Sequence, residues 1–131
     1  MYTSTATAKG ARAGHVTSED GVIDLDLGKP GSLANPKANP EMLFAAGYAA
    51  CFQGALANRA ATQEIDTSDS TVTAAVSLGA IEGGVGLAVE LKVAIPGVDR
   101  AKAQELIELA HQFCPYSRAT RGNIEVTLTV V

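Results

Sequence analysis

The sequence lacks the marks of export, of a membrane and of a polyanion partner. No N-terminal segment combines a basic start, an apolar centre and a cleavage site, so secretion is not expected. The longest apolar run, Met42 to Phe52, is well short of the ~20 residues that span a bilayer. Charge is sparse: 18% of residues are charged, the net charge is −4, and the basic residues are scattered. That argues against nucleic acid or an acidic membrane surface as the main partner. There is no internal repeat, no low-complexity segment, and no CxxC or HxxxH pair to nucleate a metal site. Together these absences point to a cytoplasmic protein without a resident metal. Cysteine is scarce as well, with two residues in 131. In a reducing compartment they are filler, metal ligands or redox groups rather than a permanent disulfide.

What remains is enough for a core. The length suits a single domain spanning 1–131, and 47% of the residues are hydrophobic, which excludes disorder. Threonine-rich Tyr2–Ala8 is a candidate strand, and Val22–Leu27 alternates apolar and acidic residues as a half-buried strand does. Gly28–Pro40, rich in proline and glycine, reads as a loop. Asn39 as N-cap and Pro40 at the first helical position then open a helix running to about Ala61. Its interior is apolar on nearly all sides, so it is expected to be buried. Thr71–Leu78 and Leu87–Ile95 are the next strands, joined by a turn at Glu82–Gly86. Asp99 caps a second helix, whose stripe of Ala103, Leu106, Ile107, Ala110 and Cys114 faces inward until Pro115 stops it. Ile124–Val130 is the last strand. The pattern predicts an α+β domain with largely antiparallel pairing around a central helix. A chain of this size does not easily enclose an all-apolar helix, so a homodimer is expected.

Cys51 sits on that helix between Gly47 and Gly54, on one face. Glycine inside a helix costs ~1 kcal/mol relative to alanine, so two of them mean that a packed helix or a substrate comes close to the sulfur. A small buried cysteine under a tight crossing is the plainer alternative. A reactive Cys51 needs thiolate, and an apolar setting raises the thiol pKa. The helix dipole fades after the first turn, so a cation must come from elsewhere. Arg12 in the glycine-flanked GARAG turn, Arg59, Arg118 and Arg121 are the candidates, and spacing alone does not choose. Cys114 ends the second helix facing the same interior, where a resolving thiol or simple packing both fit. His111 and His15 admit a zinc or acyl-transfer reading, for which the rest of the site is lacking; His111 is better explained as a helix C-terminal cap.

The stretches NPEMLFAAGYAACF (Asn39–Phe52) and AHQFCPYSRATRGNIEV (Ala110–Val126) resemble the two signature regions of the organic hydroperoxide resistance proteins, within the OsmC-like superfamily. The resemblance extends over essentially the whole chain. It implies an interwoven homodimer, central helices enclosed by antiparallel-rich curved sheets, with active sites at the subunit interface. It also implies a thiol peroxidase that reduces organic hydroperoxides, including those of fatty acids, with no metal, flavin, haem or selenium. The reductant would be a dithiol, typically that of a lipoylated protein. By motif, Cys51 is the peroxidatic cysteine, Cys114 the resolving one, Arg12 the cation that holds Cys51 as thiolate, and Glu41 the partner that orients Arg12. Glu41 is ten residues from Cys51, about 15 Å at helical rise, so Arg12 and Glu41 are expected to serve the Cys51 of a second copy. Leu43, Phe44, Phe52 and Phe113 are the expected apolar walls for the substrate. A redox sensor or a carrier of apolar ligands on the same fold is the competing reading.

Overall fold

Helix α1 (Pro40–Ala61) begins where its capping residue places it. The Met42 amide donates to Asn39 Oδ1 at 2.8 Å, satisfying one of the amides that the first turn leaves free. The computed structural model describes residues 1–131 and divides within this helix into two compact units, Met1–Leu43 and Phe44–Val131.

The first unit holds a three-stranded antiparallel sheet of β1 (Ala6–Lys9), β2 (His15–Ser18) and β3 (Asp24–Asp26), in that order. A single turn of 3₁₀ helix at Ala11–Ala13 joins the first two strands. Both β1 and β3 are shorter than expected. At β3 the cause is local: Ser18 donates to Asp20 Oδ1 at 2.6 Å, Val22 N–H donates to the same oxygen at 3.0 Å, and Ile23 N–H donates to Ser18 Oγ at 2.9 Å. Side-chain acceptors thus take up the amides of Val22 and Ile23, and only the Ile23 carbonyl still pairs with β2, accepting from Ser18 N–H at 2.7 Å. The loop that follows carries one isolated parallel bridge, Leu27 to Ala38.

In the second unit β4 (Thr71–Ile81) and β5 (Gly84–Ala94) form an antiparallel hairpin, and β6 (Glu125–Val130) adds to β5 in parallel. Ile81 pairs with Gly84, so the turn is the two residues Glu82 and Gly83 rather than the whole of Glu82–Gly86. Gly83 takes the positive φ of 83° that such a turn requires. Between β5 and β6 come α2 (Arg100–Phe113) and α3 (Pro115–Thr120), the crossover that a parallel pair needs. Asp99 caps α2 by accepting from Lys102 N–H at 2.9 Å. Proline at 115 ends α2 as expected, and it also opens α3, which the sequence reading did not anticipate.

The core lies in this unit. Val89, Leu91, Val93 and Ile95 from one face of the hairpin, Ala103, Leu106, Ile107 and Ala110 from α2, and Tyr48, Phe52, Leu56 and Ala60 from α1 form one buried cluster. The expectation that α1 is buried on nearly all sides is not met within the chain. Ala46, Ala50, Gly54 and Ala57 are exposed along its other side, because sheet and helix layers of this unit cover one face only.

Candidate active site

Cys51 and Cys114 meet within the second unit. Both are free thiols, and Cys114 Sγ donates to Cys51 Sγ at 3.5 Å. That is about 1.5 Å beyond a disulfide bond length. Cys114 occupies the corner between α2 and α3, capping the end of one and the start of the other, and has no exposed surface. Cys51, three turns into α1, is half-buried.

Burial is the main influence on Cys51 and pushes its thiol pKa up. The backbone N–H of Tyr116 works against this by hydrogen bonding to the sulfur, while the neighbouring Cys114 adds to the upward shift. Pro115 at the first position of α3 leaves the Tyr116 amide free to turn toward the sulfur. The net shift is upward, so within its own unit Cys51 is a poor thiolate, and the need for an external cation stands.

The three candidate arginines of this unit are engaged elsewhere. Arg59 stacks over the Phe113 ring at 4.2 Å from its centroid. Arg118 donates to the Gln112 carbonyl at 3.4 Å and Arg121 to the His111 carbonyl at 2.7 Å. Those two cap the C-terminus of α2, the place expected for His111. The His111 ring instead bonds forward to α3, Nδ1 to Ser117 Oγ at 2.8 Å.

Arg12 belongs to the first unit, and there it donates to Glu41 Oε2 at 2.6 Å. The ion pair joins the 3₁₀ turn to the first turn of α1 and holds the Glu41 carboxyl below its usual range. Gly10 and Gly14 fix the turn: Gly10 has φ 84°, and a Cβ on Gly14 would lie 1.9 Å from the Lys9 carbonyl oxygen. Next to it, His15 is clamped by two carboxylates of β3. Nδ1 bonds Asp26 at 2.8 Å and Nε2 bonds Asp24, and both raise the imidazole pKa.

One of the two glycines flanking Cys51 has an explanation. A Cβ at Gly47 would meet the Tyr116 ring at 3.1 Å, so the close neighbour is a packed helix; Gly54 faces open space. Of the expected apolar walls, Leu43 and Phe44 are half-buried, with Phe44 edge-on to Tyr48 at 6.2 Å. Phe113 is 43% exposed beneath Arg59. Phe52 is a correction: it has no exposed surface and is core, because its position on α1 turns it toward the sheet and α2.

Sequence reasoning missed Tyr48, Ser117 and Thr120. The Tyr48 hydroxyl lies 2.9 Å from Ser117 Oγ and 3.1 Å from Thr120 Oγ1, and all three residues are buried. The available signal was polar groups at helical spacing in otherwise apolar surroundings, three residues from each cysteine in the case of Tyr48 and Ser117.

The arrangement has well-matched relatives. The OsmC-like protein family model matches residues 31–129. The organic hydroperoxide resistance protein of Xanthomonas axonopodis pv. citri is 48% identical, over 99% of this chain and 94% of its own length. The OhrB protein of Bacillus subtilis, also named for organic hydroperoxide resistance, is 51% identical over 98% of this chain and 96% of its own. Its crystal structure superposes with a TM-score of 0.93, covering 99% of this chain and 98% of that one. An organic hydroperoxide resistance protein from Elizabethkingia anophelis superposes with a TM-score of 0.90 at 54% identity, covering 99% and 96%. By sequence and by fold, this chain belongs to the OsmC-like family, among its organic hydroperoxide resistance proteins.

Proposed function

We propose that the protein is a cysteine-based peroxidase that reduces organic hydroperoxides, including those of fatty acids, to alcohols. The single observation that carries the reading is the pair of free thiols 3.5 Å apart, one half-buried and one fully buried. Such a pair suits a two-step reaction. The Cys51 thiolate attacks the O–O bond of the hydroperoxide, the alcohol leaves, and Cys51 becomes sulfenic acid. The Cys114 thiol then attacks that sulfur, forming the disulfide and releasing the hydroxyl and the thiol proton as water. An external dithiol, of the lipoyl type, reopens the bridge by thiol–disulfide exchange.

Arg12 supplies the cation that the thiolate needs, and Glu41 holds its guanidinium in place; the 2.6 Å ion pair supports this pairing. In this reading the protein is a homodimer, and the Arg12–Glu41 pair serves the Cys51 of the second copy. The exposed small residues of α1 support the dimer, since an apolar helix face favours a cover. Phe44 and Phe113 are the apolar side chains that this reading assigns to the approach of an apolar substrate.

The test is peroxide consumption with cumene hydroperoxide and dihydrolipoamide. The wild-type protein is expected to turn over repeatedly and to prefer cumene hydroperoxide to hydrogen peroxide. Absence of turnover with intact thiols would favour a redox sensor or ligand carrier and remove the peroxidase reading.

A further inference from the structure

A chain of four hydrogen bonds runs beside the thiols and ties together the three helices of the second unit. It passes from His111 Nδ1 to Ser117 Oγ at 2.8 Å and on to the Tyr48 hydroxyl at 2.9 Å. From there it reaches Thr120 Oγ1 at 3.1 Å, which donates to the Ser117 carbonyl at 3.1 Å. Proton counting fixes its direction. Three hydroxyls bring three protons to four hydrogen bonds, so the fourth must come from the imidazole. With Nδ1 protonated, His111 donates to Ser117, Ser117 to Tyr48, Tyr48 to Thr120 and Thr120 to the carbonyl. Every buried hydroxyl then donates once, and none is left without a partner, in keeping with the absence of unsatisfied buried polar atoms.

The position of this chain matters more than its strength. His111 and Ser117 stand three residues before and three after Cys114, on the two helices that meet at it. Tyr48 stands three residues before Cys51 on α1. The hydrogen bonds therefore link the turns that carry the two sulfurs, and the Tyr116 ring packed on Gly47 reinforces the same junction. A disulfide still requires the sulfurs to close by about 1.5 Å, and geometric errors of that order cost up to about a hundredfold in rate.

We propose that the His111–Ser117–Tyr48–Thr120 chain is a latch that holds the α2–α3 corner against α1, making these four residues positioning residues for disulfide formation between Cys51 and Cys114. The proposal rests on the peroxidase reading and adds to it a determinant of the second step. In that step the Cys114 sulfur bonds to Cys51, the Cys51 S–O bond breaks, and the hydroxyl leaves as water with the Cys114 proton. An intact latch favours this over attack by a second hydroperoxide, which would take Cys51 to sulfinic acid.

The experiment is a rapid-quench reaction of reduced protein with cumene hydroperoxide. Thiol alkylation measures the disulfide fraction, and intact mass measures the sulfinic fraction. Tyr48→Phe deletes the central hydroxyl and keeps the ring. Its initial oxidation is expected at the wild-type rate, its disulfide step slower by about tenfold to a hundredfold, and its sulfinic fraction raised. Thr120→Val should move the partition the same way, and Thr120→Ser, which keeps the hydroxyl, should restore it. This last comparison keeps the test valid if Tyr48→Phe fails to fold. A disulfide step as fast as wild type in Tyr48→Phe or Thr120→Val overturns the latch, as does an equal slowing of both steps. Failure of the wild-type protein to react at all removes the peroxidase reading, and the latch with it.

Discussion

The two units are stabilised by different means, and their chemistry differs accordingly. In Met1–Leu43 the only buried large apolar side chain is Leu27; Val22 and Leu33 are 83% and 96% exposed. Its order comes from strand pairing, side-chain hydrogen bonds and charge, notably Arg12 with Glu41 and His15 with Asp24 and Asp26. Phe44–Val131 contains the whole buried core, and the thiols and the hydroxyl chain lie in or against it. A dry interior favours the neutral form of a thiol, while an exposed, charged turn can carry a guanidinium at little cost. The proposed cation and the sulfur thus sit in surroundings suited to each.

Separate substitutions sharpen this contrast. Cys51→Ser is expected to abolish hydroperoxide reduction while leaving the circular dichroism spectrum unchanged; normal consumption by this variant would refute the mechanism. Cys114→Ser should perform the first oxidation and then stall, with Cys51 passing to sulfinic acid in excess peroxide, as intact mass would record. Arg12→Ala tests the first unit's contribution. Loss of a preorganised charge of this kind costs about 10²–10³-fold in rate, and the pH profile of Cys51 alkylation should move upward; an unmoved profile would remove Arg12 from the site.

Smaller effects probe the supports. Asn39→Ala removes the cap of α1 and should cost about 1 kcal/mol in denaturant unfolding. The His15 clamp is expected to leave a pH signature. Its carboxylate neighbours raise the imidazole pKa in the folded state, so its contribution is fully present below the unfolded value near 6.5. It is lost as pH rises through the higher folded value. His15→Gln should flatten that part of the stability–pH curve. His111 behaves in the opposite sense: burial lowers its pKa, so its contribution is present above the unfolded value and is lost as pH falls through the folded one.

Many of the longer elements were legible in the sequence. Asn39–Pro40 and Asp99 are local caps, and the alternation of Leu87 to Ile95 has a period that only a strand satisfies, so these elements appear where expected. Short α3 was not legible, since six residues give no helical period and Pro115 reads equally as a stop. Nor was the parallel pairing of β6 with β5, because strand direction depends on the crossover and not on the strand's own pattern. In the first unit, the turn chemistry of Ser18 and Asp20 shortened a strand that alternation alone had extended. The two cysteines were conspicuous for their rarity and their apolar setting. Their approach to 3.5 Å was not, because it depends on α3 turning the Cys114 corner back toward α1.

The most direct test of the central claim is intact mass and peptide mapping after one equivalent of cumene hydroperoxide is added to the fully reduced protein under anaerobic conditions. The expected result is the loss of two hydrogens and a single peptide pair joined through Cys51 and Cys114. An unchanged mass with both thiols still titratable would contradict it.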